Sequence, residues 1–151
     1  VNKLSYGLKL PFSDWFSDPI YLYKGEGPKR GDVVVFKFPK DPSIKYLKRV
    51  IGIPGDYVEI ENGKVSINGK LLDEEYVKDI NNQKQSLKIS GSIHIPDNAY
   101  FVLGDNRDNS NDSRYWGLVP AKNIVGSVEH VWFSYAPNYG IRNERIGLIF
   151  N

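Results

Sequence analysis

Cysteine is absent from this 151-residue sequence, which excludes disulfides and thiolate metal ligands and leaves the redox compartment open. Methionine is absent too, at position 1 as elsewhere. The opening Val1-Asn2-Lys3-Leu4-Ser5-Tyr6-Gly7 reads like the interior of a chain, so a segment upstream of Val1 is expected. Histidine occurs only at His94 and His130, neither at ligand spacing from the other, so both read as structural or surface residues. No run of 18 apolar residues occurs, which excludes a transmembrane helix within this sequence, and no charged-then-apolar leader opens it. An excess of one charge is also missing. Twenty Lys and Arg against 18 Asp and Glu leave +2, too little to argue for nucleic acid. No glycine-rich phosphate loop and no Gly-x-Ser-x-Gly elbow is present.

What is there is a series of short strands. The 40% hydrophobic and 25% charged fractions suit a soluble globular protein, and the length suits one domain with room for a subdomain insert. Residues 8–30 alternate apolar pairs with turn formers and read as an irregular arm, in which Trp15-Phe16 fits a core, a lid or a membrane interface. Asp32 to Phe38 predicts a strand, Pro39 to Pro42 a turn, and Tyr46 to Ile53 a second strand stopped by Pro54-Gly55-Asp56. Asn62-Gly63 and Asn68-Gly69 each separate short alternating runs, which predicts a three-stranded meander over 57–72. Residues 73–92 are polar and read as a loose excursion. Ile93 to Leu103 returns to strand character, Pro120 to Ile124 suits one helical turn, and Gly126 to Tyr135 reads as the last strand. No segment keeps helical periodicity over ten residues, so the fold class is mostly β with little helix.

Two segments carry candidate chemistry. With period two, Tyr46, Lys48 and Val50 share a face of the second strand. A lysine between an aromatic and a valine can be desolvated toward its neutral form, from a free value near ~10.4. The plainer alternative is an edge lysine with its amine in water. Gly104 to Arg114 reads Gly-Asp-Asn-Arg-Asp-Asn-Ser-Asn-Asp-Ser-Arg after the apolar Tyr100-Phe101-Val102-Leu103. Such a segment is either a solvated turn cluster or a wired polar network beside a working site. Asp108, Ser110 and Asp112 have the first spacings of a calcium loop. Ser113 and Val119 stand where its glycine and glutamate belong, so the EF-hand reading fails and only a looser metal site stays open. Arg30-Gly31-Asp32 matches a cell-adhesion tripeptide but reads more simply as the turn entering a strand.

Taken in order, three boxes resemble those of bacterial signal peptidase I, the membrane-bound serine protease that removes signal peptides. They are Lys29-Arg30-Gly31-Asp32-Val33-Val34-Val35-Phe36, then Tyr46-Leu47-Lys48-Arg49-Val50-Ile51-Gly52-Ile53-Pro54-Gly55-Asp56, then Gly104 to Arg114 continued by Tyr115-Trp116-Gly117. The ending Arg145-Ile146-Gly147 is similar to the family's C-terminus, and 57–98 is covered only loosely. The resemblance implies a signal-peptidase-like β-fold, with a catalytic core of 1–56 and 99–151 and a variable hairpin insert at 57–98. It implies a serine–lysine dyad with Lys48 as general base and Ser110 orienting it. It implies that Asp105, Arg107, Asp112 and Arg114 form an ion-pair network holding the loop against the lysine strand. Val35, Tyr46 and Leu47 would line apolar pockets for small residues, and neither a cofactor nor a metal is expected. The partners would be signal peptides of exported preproteins, with an anchored location on the extracytoplasmic face of the membrane.

One departure is large. The family's nucleophile lies in a Ser-Met-x-Pro box upstream of the segment matched by Val1-Asn2-Lys3, and these 151 residues do not contain it. Ser5, Ser13, Ser17 and Ser43 have no matching context. The chain alone is therefore expected to be inactive, and to self-associate through an apolar patch near the lysine strand. The alternative is a natural non-catalytic scaffold that binds exported or surface proteins, although the presence of both Lys48 and Ser110 argues against it. Self-cleaving repressors also use serine and lysine on a β-rich fold but lack the Gly104–Arg114 box.

Overall fold

The computed structural model describes residues 8–9, 21–23, 27–77, 90–128, 135–136 and 140–141. Trp15-Phe16, Ser5, Ser13, Ser17, His130 and the 145–147 ending lie outside the described residues. Two short pairs stand apart: β1 (Leu8–Lys9) with β2 (Tyr21–Tyr23), and β12 (Tyr135–Ala136) with β13 (Gly140–Ile141).

The main sheet is antiparallel and has the order β10-β9-β4-β3-β11. Its strands are β3 (Val33–Phe38), β4 (Asp41–Gly52), β9 (Ala99–Leu103), β10 (Val119–Pro120) and β11 (Ile124–Ser127). The valine-rich Val33–Phe38 run forms β3 as its β-branched and aromatic residues predict. β4 begins at Asp41, five residues earlier than the sequence indicates. Pro42 is tolerated there because the β3 register slips between Lys37 and Phe38, and β9 pairs only with the far end of β4.

The second sheet has the order β7-β6-β5-β8, with β5 (Tyr57–Glu61), β6 (Lys64–Ile67), β7 (Lys70–Leu71) and β8 (Gly91–His94). Both Asn-Gly pairs turn with positive φ, at Asn62 50° and Gly63 76°, then at Asn68 53° and Gly69 78°. That is the mirror-image turn whose twist matches flanking strands. β8 pairs with β5 rather than running on into β9, since Pro96-Asp97-Asn98 divides the two. Tyr76, in the segment expected as a loose excursion, packs onto the core.

The two sheets share that core. Val58, Ile60, Val65 and Ile67 of the second sheet pack with Ile51, Ile95, Phe101 and Leu103. A second cluster, Val34, Phe36, Val50, Tyr100, Val102 and Val119, lies on the other face of the main sheet. Helix is scarce among the described residues: α1 (Ser113–Trp116) and two single 3-10 turns, Arg107–Asn109 and Ala121–Asn123. No helix among the described residues is long and apolar enough to cross a membrane.

Candidate active site

Strand register decides which side chains can meet. Lys48 pairs with Val34 and Tyr46 with Phe36, so Lys48, Tyr46, Val34, Phe36 and Val50 share the face of the second cluster. Val35 pairs with Leu47. With period two, those residues stand on the opposite face, where Arg49 and Ile51 also lie. The three residues expected to line apolar pockets therefore divide between the two faces, Tyr46 on one and Val35 and Leu47 on the other. Tyr46 is beside Lys48, its ring centroid 5.7 Å from Nζ, whereas Leu47 is 51% exposed on the other side.

The loop after β9 closes over the lysine face. Lys48 Nζ donates to Ser110 Oγ at 2.8 Å. Ser110 is only 8% exposed. Its hydroxyl presses against Gly104 so closely that a Cβ there would stand 2.2 Å from Oγ, 2.6 Å from the Ser110 Cβ and 3.3 Å from Lys48 Nζ. Only glycine leaves room for this contact. Among the described residues Lys48 makes no ion pair with a carboxylate. Burial is the largest influence on its ammonium and lowers its pKa from the ordinary 10.5. Nearby Asp112 and Asp105 oppose that shift, while Arg114 adds to it.

The four loop residues expected to form an ion-pair network divide their work. Asp112, fully buried, accepts from Arg114 Nε at 2.8 Å and Nη2 at 2.9 Å. It also accepts from Gly104 N at 3.1 Å and caps α1 through Arg114 N. Arg114 Nη2 reaches back to the carbonyl of Arg107 at 2.6 Å, which closes the loop on itself. Asp105 leaves the loop to pair with Arg49 on the lysine strand, with bonds of 2.9 and 2.8 Å. Arg107 pairs with Glu74, outside both boxes. Ser113 Oγ accepts from Val102 N at 2.9 Å and pins α1 to β9.

Three participants escaped the sequence reading. Arg49 is next to Lys48 and was legible as charged, but its partner depends on the loop's fold. Glu74 and Tyr76 lie in a stretch whose polarity suggests solvent. In the strand entrance, Arg30 donates to both oxygens of Asp56 at 2.9 Å, so the Arg30-Gly31-Asp32 tripeptide is committed to structure. Asp56 also accepts from Ile53 N at 2.8 Å and Asn68 Nδ2 at 3.0 Å.

A half-buried, desolvated lysine aimed by a hydroxyl is suited to proton abstraction. Ser110 is within reach of the lysine but is enclosed beneath Gly104, which suits an orienting group better than a nucleophile that must meet a carbonyl.

The sequence matches the family described as signal peptidase, peptidase S26, over residues 1–133. It is 36% identical to signal peptidase I of Pseudomonas fluorescens and 37% identical to that of Pseudomonas aeruginosa. Both alignments take in 99% of this chain and 64% of the relative, so the chain spans just under two thirds of those proteins' length. A probable signal peptidase I-2 of Synechocystis is 40% identical over 81% of this chain and 56% of that protein. The crystal structure of a signal peptidase I from Enterococcus faecalis V583 superposes with a TM-score of 0.56 at 36% identity, covering 68% of this chain and 97% of that one.

Proposed function

The chain belongs to the S26 signal peptidase family, and from that premise we propose that it cleaves signal peptides from exported preproteins, with Lys48 as general base. The observation that carries this reading is the 2.8 Å contact from Lys48 Nζ to Ser110 Oγ on a lysine held below its ordinary pKa by burial.

In the proposed reaction, neutral Lys48 takes the proton from a serine hydroxyl as that oxygen attacks the scissile carbonyl. The tetrahedral intermediate collapses, the amine leaves with the proton returned by Lys48, and an acyl-serine forms. Water, deprotonated by the same amine, then releases the carboxylic acid and regenerates the serine. Ser110 fixes the direction of the lysine throughout. The nucleophile belongs to a Ser-Met-x-Pro segment that these 151 residues do not contain. Of the three pocket candidates, Tyr46 is placed to touch a peptide at Lys48, and Val35 and Leu47 would meet one only along the opposite face. The site works on the extracytoplasmic side of the membrane, where exported chains emerge.

The test is direct. Protein carrying a Ser-Met-x-Pro segment upstream of Val1 should cut a signal-peptide substrate after a small residue, and the 151 residues alone should not. Turnover by the bare chain that Lys48→Ala abolishes would overturn the placement of the nucleophile. Binding without cleavage by the extended protein would favour the non-catalytic scaffold. Self-association of the bare chain is also proposed, supported by exposed Leu47 and Tyr115. A monodisperse monomer by light scattering at high concentration would remove that part.

A further inference from the structure

A closed ring of polar contacts surrounds Gly104 on the side away from Lys48. Arg49 holds Asp105, and the backbone leads one residue back to Gly104, whose carbonyl accepts from Arg107 Nε at 3.2 Å. Arg107 Nη1 donates to Glu74 at 2.9 Å and Nη2 to its other oxygen. Tyr76 donates its hydroxyl to Glu74 at 3.2 Å, and its ring lies 4.2 Å from the Arg49 guanidinium carbon, which completes the circuit. Burial, with the Glu74 charge beside it, pushes the Tyr76 hydroxyl up to about 12, so the hydroxyl stays a donor at every physiological pH.

Glu74 and Tyr76 come from neither box. They occupy the turn after β7 that is closed by Val77 N donating to Glu74 O at 2.9 Å. The Glu74 side chain is 11% exposed and that of Arg107 7%. Burying such a pair costs about as much as it returns, so its net stabilisation is a weak reason for it, whereas fixing one arrangement is a better one. What it fixes is Gly104, where any side chain would run into both Ser110 Oγ and Lys48 Nζ.

We propose that Glu74 and Tyr76 are positioning residues for the dyad: through Arg107 they hold the outer side of Gly104 so that Ser110 stays seated on Lys48. The insert's sheet is then a working support of the site. The proposal rests on Lys48 being the base.

The experiment follows the Lys48 ammonium by NMR titration of the full chain, with a kcat/KM pH profile on protein bearing the upstream serine segment. The groups facing Lys48 are Ser110, Tyr46, Asp112, Asp105 and Arg114, and all are kept. Glu74→Gln should loosen the loop, hydrate the amine and move its titration upward toward 10.5, with kcat about tenfold lower and KM unchanged. Tyr76→Phe should move both readouts in the same direction by less, and Glu74→Asp should recover part of the loss. Asn68→Ala, which removes the Tyr57 and Asp56 contacts without touching the ring, should lower stability and leave the Lys48 titration alone. An unchanged titration and kcat in both Glu74→Gln and Tyr76→Phe would overturn the proposal, as would an equal shift in Asn68→Ala. Full activity in Lys48→Ala would instead sink the dyad itself, a result the titration arms cannot mimic.

Discussion

Lys48 and Arg49 are consecutive on β4, and both reach the same loop, from opposite faces of one sheet. On its face Arg49 is saturated: two bonds to Asp105, one of 2.8 Å to the carbonyl of Gly31, and an aromatic ring beneath it. Lys48 holds a neutral hydroxyl and lies over the Tyr46 ring. Burial disfavours both charges, yet the net results are opposite. Asp105 raises the Arg49 pKa above its ordinary value, and desolvation lowers that of Lys48. Two cations with similar stems become a fastener and, in the proposed function, a base because of the partners the loop offers each.

The contrast can be broken in order of expected effect. Lys48→Ala should lower cleavage by about 10²- to 10⁴-fold, the range for losing a general base, with the fold intact by circular dichroism. Ser110→Ala comes next. It removes the hydrogen bond that aims the amine, and misorienting a catalytic group costs on the order of 10²-fold, so kcat/KM should fall roughly ten- to a hundredfold, more than any loss of stability explains. Asp105→Ala tests the other face. It leaves the buried Arg49 guanidinium with only Gly31 O, but the Asp105 side chain is 36% exposed, which discounts the loss to about 1–3 kcal/mol in denaturant unfolding. A base acting on its own would leave activity almost untouched by that change beyond what stability explains.

The smallest effect is a pH dependence, and its sign follows from Lys48 being held below 10.5. Between its folded value and 10.5 the unfolded chain binds the lysine proton more fully, so stability rises with pH across that window. Below the window the amine is protonated in both states and the burial penalty is constant. The stability gap between Lys48→Met and the parent protein, from chemical denaturation, should be widest at neutral pH and close toward 10.5. The kcat/KM profile should rise through an ionisation below 10.5.

Some of this was legible before folding. Period two put Tyr46, Lys48 and Val50 on one face, and the Asn-Gly pairs located both tight hairpins, because each signal is local. Partners distant in sequence left no such trace. Nothing in residues 91–94 says they pair with β5, and nothing in Asp73-Glu74-Glu75-Tyr76 marks Glu74 for burial against Arg107. The same period-two rule that located the lysine face divides the pocket candidates between two faces. Val35 and Leu47 are adjacent to the right residues in sequence and therefore point away from them in space. The short α1 was hidden because its cap, Asp112, was read for its charge alone.

Asp56 sets an order of assembly. Its buried carboxylate gathers Arg30, the Ile53 amide and Asn68, partners up to 26 residues away along the chain. The Ile53 contact closes a local turn, but the full set forms only once the β3 entrance and the turn leaving β6 have also arrived. Until then the carboxylate is a partly solvated charge that disfavours burial of the sheet interface around it. Docking of the second sheet is therefore expected late, and protection of the β5 and β6 amides in pulse-labelled hydrogen exchange should appear together.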